Sequence, residues 1–215
     1  ADAARLFTLS DTPPDRDFDW SEEGIEGSWR YLNRLWRLME DVVETKGRLG
    51  KAEESLMLAK KTHQLIQKIT RSYEKNGFNK AIAFARELTR VLEDSVADEA
   101  ISYQQLSDSS KILIQILAPL IPHSTSELWE KLDGVGLVID APWPHVDPSL
   151  AAMEEVTIAV QVNGKMRGSF VIASDSDDAS LLEAAIALSA VQKDMNSRPI
   201  RRHIIIPNRI VNIVV

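Results

Sequence analysis

The chain has 215 residues, of which 44% are hydrophobic and 27% charged, and this composition excludes intrinsically disordered and collagen-like chains. The absence of cysteine excludes disulfide frameworks, thiolate nucleophiles and cysteine-ligated metal sites, and it fits a reducing cytoplasm. The net charge of -7 argues against nucleic-acid binding over the whole surface, and the longest apolar stretch, residues 112–122, is too short to cross a membrane.

The charge is unevenly distributed along the chain. Residues 156–215 carry seven Lys or Arg against five Asp or Glu, whereas the first 155 residues hold a net charge of -9. This difference indicates two structural units, of which the smaller is better suited to meet an anion.

Helical periodicity dominates the first part of the chain. Ser21 is a favourable N-cap for a long helix, and Gly47 and Gly50 end it. Further helices are predicted over about 51–75, 78–96 and 100–118, and Ser124 with Glu127 has the spacing of a capping box for a short helix. The predicted buried stripe of the first long helix consists of Ile25, Trp29, Leu32, Trp36, Met39 and Val43.

The pattern changes beyond residue 134. Residues 134–155 are rich in Gly, Pro and Asp and predict a linker, or a strap packed by Trp143. Residues 156–162 then alternate at the strand period of two, and Asn163-Gly164 is a strong hairpin signal. A second strand over 165–172, a helical segment over 180–195 and a terminal hairpin of residues 201–206 and 210–215 complete a small α/β unit.

The first hairpin presents a conflict of register. A simple two-residue turn pairs Val162 with Lys165 and turns two cations toward the valine face, whereas a longer loop or a bulge aligns Met166, Phe170 and Ile172 with the valines. We expect the longer loop or bulge rather than the simple turn, because burying two unpaired cations costs several kcal/mol.

The sequence contains no arrangement typical of a catalytic or metal site. The four histidines lack the spacing of metal ligands, and neither a Gly-x-Ser-x-Gly elbow nor a phosphate-binding loop is present. We therefore predict no catalytic residue, no metal and no cofactor in this chain.

Basic residues are the candidates for binding. Arg30, Arg34 and Arg37 lie at helical spacing and could follow a phosphate backbone, or form a solvated face with salt bridges. The same two interpretations apply to Lys61 and Lys68 on the next helix. In the small unit, the hairpins carry a basic edge that suits contact with a folded nucleic acid through shape and phosphates, or is an ordinary mixed surface. Its residues are Lys165, Arg167, Arg201, Arg202 and Arg209.

Successive blocks of the sequence resemble bacterial leucyl-tRNA synthetases. The helical blocks are also similar to the isoleucyl and valyl enzymes of class Ia, whereas the VNGKMR hairpin and the VNIVV ending point to leucine. Asn208 stands where that family usually has a turn glycine, which is tolerable because Asn also accepts positive φ. The blocks are RYLNRLWRL (30–38), KTH (61–63), FNKAIA (78–83), LAPLIPH (117–123), ELW (127–129), WP (143–144), VQVNGKMR (160–167) and PNRIVNIVV (207–215).

The resemblance implies a mainly α chain with a defined domain order. Residues 1–19 would be a junction from a missing catalytic domain, 20–133 a class Ia anticodon-binding-type helix bundle, 134–155 a linker or strap, and 156–215 a C-terminal α/β domain that binds tRNA.

The resemblance also implies the role of the chain. It would be the tRNA-binding C-terminal portion of a cytoplasmic leucine-tRNA ligase, with Arg30 and Arg34 on the tRNA backbone. The parent enzyme would use ATP and Mg, while this part, lacking the ATP-binding signature motifs of that family, would not aminoacylate alone. Its partners would be tRNA(Leu) and the catalytic and editing domains of the same chain, and we expect a monomer. The alternative is a helical protein-docking module with no RNA role.

Overall fold

The computed structural model describes residues 1–13, 15–17, 19–152, 155–174, 176–196 and 198–215, and of Glu155 only the backbone. The chain divides after residue 152 into two compact units. The first is helical and the second combines a four-stranded sheet with helices, so the predicted mainly α fold class with a small α/β unit is confirmed.

The helical unit is a bundle with one continuous apolar core. Each of its long helices has an apolar stripe that faces this core, in which Leu35, Leu65, Leu88 and Leu113 are fully buried. None of the helices in the described ranges is long and apolar enough to cross a membrane. The helices are α1 Asp2–Ser10, α2 Glu22–Glu44, α3 Ala52–Glu74, α4 Phe78–Ala97, α5 Tyr103–Leu117, α6 Pro122–Lys131, a 3-10 turn Val138–Asp140 and α7 Pro148–Ala151.

The predicted N-cap of α2 is confirmed, but its predicted buried face is right only in part: Leu32 and Met39 are buried, and the tryptophans are not. Ser21 accepts a hydrogen bond from the Gly24 N–H at 3.0 Å. Trp29 and Trp36, expected in the core, are 58% and 38% exposed. The sequence has a second stripe at the same spacing, and that stripe is the buried one because it carries more aliphatic residues. Its members are Tyr31, Leu32, Leu35, Leu38, Met39 and Val42.

The predicted capping box of α6 is also wrong. The helix begins at Pro122, so Ser124 lies in its first turn. The Ser124 N–H donates to the Asp2 carboxylate at 2.6 Å, and His123 Nδ1 lies 2.9 Å from the same carboxylate. A side chain of α1 thus satisfies a free N–H at the start of α6, as a local cap would.

The segment after α6 packs on α3. Trp143 Nε1 donates to the Thr70 hydroxyl at 2.9 Å, and its indole meets the Tyr73 ring edge-on at 5.0 Å between centroids. The Asp147 N–H donates to His63 Nδ1 at 3.1 Å. Residues 138–151 therefore contact α3 through both side-chain and backbone groups. The predicted bounds of the linker, 134–155, stay a prediction.

The second unit is a sheet covered on one face by two helices. Strand β1 lies centrally, antiparallel to β2 and parallel to β4, and the strand order is β2-β1-β4-β3. The core between sheet and helices includes Val160, Val162, Val211 and Ile213. The elements are β1 Glu155–Val162, β2 Lys165–Ala173, α8 Asp178–Ala187, α9 Ser189–Met195, β3 Arg202–Ile206 and β4 Ile210–Val214.

The first hairpin combines both registers that the sequence allowed. Its turn is the two-residue Asn163-Gly164, with φ of 49° and 79°, so Lys165 pairs with Val162. A bulge opposite Val160 and Gln161 then shifts the register by one residue, and Phe170 and Ile172 pair with Ile158 and Val156 as expected. The expectation for Met166 is wrong: it precedes the bulge, pairs with Gln161 and is exposed.

Candidate nucleic-acid interface

Three arginines of α2 lie on its exposed face beside α4. They line a groove of about 530 Å³ together with Trp29, Asn33, Leu38, Asp41 and Glu93. At 1.5 Å rise per residue, Arg30, Arg34 and Arg37 span about 10 Å along the helix. We call this surface the α2 groove.

The three guanidinium groups differ in how far they are neutralised. Arg30 pairs with Glu26 at 2.8 Å, and both side chains are mostly exposed, so the pair is worth less than about 1 kcal/mol. Arg34 pairs with Glu93 of α4 through two nitrogens, and this hydrogen bonding raises the pKa of Arg34 above its usual value. Arg37 has no ion pair within the described ranges. Arg30 and Arg37 are thus the arginines most available to an anion.

Lys61 and Lys68 of α3 form a separate pair. Lys61 binds Glu87 of α4 at 2.8 Å, and Lys68 Nζ lies 5.5 Å from the centre of the Phe84 ring. Phe84 and Glu93 are nine residues apart on α4, which is two and a half turns at 100° per residue, so they lie on opposite sides of the helix, and Glu87 lies 120° around the helix from Glu93. The lysines therefore contact α4 away from the side that Arg34 contacts, and the structure does not join them to the α2 groove.

The sheet separates the basic residues of the second unit. Because β1 and β4 are parallel, the β1–β2 turn lies beside the end of β4, and Arg202 at the start of β3 pairs with Val214. The Gly164 N–H donates to Asn212 Oδ1 at 3.1 Å, which fixes the turn there. Lys165, Arg201 and Arg202 consequently lie at one end of the sheet, which we call the basic sheet end.

Arg167 and Arg209 lie elsewhere. Arg167, in the bulge, binds Asp194 of α9 at 2.9 Å, and its hydrogen bond lowers the pKa of that carboxyl. Arg209 is the last residue of the β3–β4 turn, at the opposite end of the sheet. Four residues of extended strand, about 13 Å, separate it from Ile213.

The described residues contain no group of three or more His, Asp or Glu side chains placed to hold a metal ion. The basic clusters can bind anions through exposed guanidinium and ammonium groups. The helices and strands that carry these groups fix the spacing between them.

The family match includes part of each unit. The family described as "Anticodon-binding domain of tRNA ligase" matches residues 56–184, more than half of the chain. The chain belongs to this family. The matched range, residues 56–184, contains Lys61, Lys68, Lys165 and Arg167. The α2 residues of the α2 groove precede this range.

Two relatives of this chain are leucine--tRNA ligases. The chain is 40% identical to a leucine--tRNA ligase of Sinorhizobium fredii (strain NBRC 101917 / NGR234), with all of the chain and 26% of the relative covered. A leucine--tRNA ligase of Paramagnetospirillum magneticum (strain ATCC 700264 / AMB-1) is 39% identical, with 25% of its length covered. The chain thus spans about a quarter of the length of the curated relatives it matches.

A solved structure with the same architecture contains RNA. It is a ternary complex of Agrobacterium radiobacter K84 agnB2 LeuRS, tRNA and LeuAMS. Its TM-score to this chain is 0.83 at 28% identity, over 99% of this chain and 28% of that one. These comparisons lend no support to the alternative of a protein-docking module.

Exposure of Trp29 is the feature of the site that sequence reasoning missed. The helical spacing of Trp29 and Trp36 suggested burial, and only the competing stripe of Tyr31, Leu35 and Leu38 on the same helix could have signalled otherwise.

Proposed function

We propose that this chain is the tRNA-binding C-terminal portion of a leucine-tRNA ligase, an enzyme that attaches leucine to tRNA(Leu) with ATP and Mg. The observation that carries the proposal is the match to leucine--tRNA ligases over the whole chain at about 40% identity. The exposed basic clusters, at the α2 groove and the basic sheet end, add surfaces with the right charge for RNA phosphates.

The share of this chain in the reaction is to position the tRNA. Arg30 and Arg37 would bind phosphates from the helical unit, and Lys165, Arg201 and Arg202 from the basic sheet end. Holding a substrate in register lowers the entropic part of the barrier to the chemical step. Such positioning needs fixed cations, which α2 and the paired strands supply.

The chemistry itself belongs to other parts of the enzyme. ATP with Mg would activate leucine for its transfer to the tRNA. The proposed partners are tRNA(Leu) and the catalytic and editing domains of the same chain. We place the enzyme in the cytoplasm and expect it to act as a monomer.

The test is the binding of labelled tRNA(Leu) transcript to the purified 215-residue chain, followed by fluorescence anisotropy at several salt concentrations. The logarithm of the association constant should fall linearly with the logarithm of salt, by about 0.7 to 0.9 for each phosphate contacted. The control for selectivity is a tRNA that carries a different amino acid and has a different secondary structure from tRNA(Leu).

Leucine-dependent pyrophosphate exchange by the chain alone is expected to be absent. Binding of tRNA(Leu) that does not respond to salt, or no binding at all, would contradict the proposed function.

A further inference from the structure

Trp29 presents an exposed indole on α2. It is 58% exposed, and its ring and its Nε1 make no ring contact or hydrogen bond within the described ranges. Trp36, one heptad further along α2, differs. Its Nε1 donates to Glu40 at 3.1 Å, and Lys131 Nζ covers its ring at 5.1 Å. The indole of Trp36 is thus used within the protein, whereas that of Trp29 remains available.

The free indole lies in the α2 groove among guanidinium groups. Trp29 lines the groove together with Arg30, Arg34 and Arg37. The Asn33 side-chain amide donates to the Trp29 carbonyl oxygen at 2.8 Å, one turn along the helix. Trp29 therefore stands on a regular helix beside cations of fixed spacing. A flat apolar surface bordered by cations is the combination that binds single-stranded nucleotides, by stacking on the base and by pairing with the phosphates.

We propose that Trp29 stacks on an unpaired nucleobase of the bound tRNA while Arg37 and Arg30 contact the phosphates on either side. The inference rests on the proposed function and names the part of the RNA that the α2 groove takes.

Charge favours a nucleotide over an acidic peptide or an apolar helix. Glu93, one of the two carboxylates in the groove, is already bound by Arg34, so the groove offers Arg30 and Arg37 to an incoming anion. An apolar partner helix would have to cover these guanidinium groups, which costs free energy without compensating anions.

The experiment compares Trp29→Ala and Trp29→Phe in the 215-residue chain, with tRNA(Leu) transcript as the ligand. Trp29→Ala removes one base-stacking interaction, so it should lower the affinity for tRNA(Leu) about 5- to 100-fold. Phe keeps an aromatic face, so Trp29→Phe should remain within about 3-fold of the parent chain. Stacking releases no counterions, so the salt slope should be unchanged in both variants.

Two matched variants complete the design. Trp20→Ala removes another exposed indole, 61% exposed, which contacts Phe7 and lies outside the α2 groove, and it should leave tRNA affinity unchanged. Arg37→Ala removes a cation of the groove, and it should weaken binding and flatten the salt slope by about one unit. Far-UV circular dichroism checks that each variant is folded.

The outcomes separate the inference from the proposed function. If Arg37→Ala weakens binding but Trp29→Ala does not, stacking is overturned and tRNA binding stands. If Trp29→Ala flattens the salt slope as Arg37→Ala does, Trp29 acts by shaping the groove, and stacking is again overturned. If the parent chain itself does not bind tRNA(Leu), the proposed function fails and the inference with it.

Discussion

A hydrogen bond to His63 is one of the contacts that hold the segment after α6 to α3. His63 Nδ1 accepts from the Asp147 N–H at 3.1 Å, so this nitrogen must be unprotonated. Burial lowers the pKa of His63 below its usual value of 6.5, although the nearby Asp147 carboxylate acts in the opposite direction. The neutral form is therefore the one that fits the folded chain.

We expect the helical unit to lose stability as the pH falls below about 6.5. The unfolded chain takes up the His63 proton first, so the stabilising contribution is complete above the unfolded pKa and is lost as the pH falls through the folded one. His63→Asn keeps an acceptor near Nδ1 but does not titrate, so it should lack this part of the pH dependence. Urea unfolding followed by tryptophan fluorescence measures it, because all five tryptophans lie in residues 1–152.

The control for this prediction is His203→Asn, which alters an exposed histidine of β3 in the other unit. It should keep the parent pH dependence. An identical pH dependence of the parent chain and His63→Asn would show that the hydrogen bond to Asp147 does not favour neutral His63.

Residue roles followed from the sequence only where the partner is local. Glu26 lies four residues before Arg30, and their salt bridge was one of the expected alternatives. Glu93, which binds Arg34, is 59 residues away on another helix and left no signal in the sequence. The same holds for Asp194 with Arg167, so sequence reasoning could name the arginines but not which of them stay free.

At the scale of elements, the β1–β2 turn joins three strands. The Asn163 N–H donates to the Ile213 carbonyl at 2.9 Å, and the Gly164 N–H donates to Asn212 Oδ1. Gly164 has a φ of 79°, in the left-handed region where a residue with a side chain is strained. A Cβ added at this position would meet no atom within 4 Å. The turn therefore needs glycine for its backbone alone.

Gly164→Ala should destabilise the second unit by about 1 kcal/mol, the cost of a left-handed conformation for a residue with a Cβ. Gly136→Ala is the matched control, because Gly136 has a φ of 68° and equally open surroundings in the helical unit. Amide hydrogen exchange should detect faster exchange in β1 for the first variant and in the helical unit for the second. Unchanged exchange of the β1 amides in Gly164→Ala would contradict the strain argument.

Element positions were predictable because periodicity and turn residues are local signals, whereas element faces were less so. In α2, two stripes of equal spacing compete, and tertiary packing chose Leu35 and Leu38 over Trp29 and Trp36. In β2, the bulge was foreseen from the cost of buried cations, but its place after Met166 depends on the two-residue turn.

At the scale of the whole chain, the change of period from helical to strand spacing predicted two kinds of structure. The strand order was not predictable, because the parallel pairing of β1 with β4 joins residues about 50 positions apart without a local signal. That pairing brings Lys165 to the same end of the sheet as Arg201 and Arg202, with β1 and β4 between them, and places Arg209 at the other end. The predicted basic edge is therefore two separate surfaces.

This separation yields a prediction about where RNA lies on the second unit. Arg201 and Arg202 are exposed and have no ion pair within the described ranges, so changing both to Ala should leave the fold intact. If they bind phosphates, the double variant should weaken tRNA(Leu) binding and flatten the salt slope by about one unit for each phosphate that is no longer bound. Arg209→Ala should leave the slope unchanged, because Arg209 is five residues of extended strand, about 17 Å, from Val214, the partner of Arg202.

The measurement is again anisotropy of labelled tRNA(Leu) across a salt series, with the parent chain and both variants side by side. Equal flattening by Arg209→Ala would mean that the RNA runs across the open face of the sheet from one end to the other, because no single phosphate reaches both ends. A double variant with parent affinity and parent slope would remove the basic sheet end from the interface and leave tRNA binding to the helical unit, where the α2 groove offers Arg30 and Arg37.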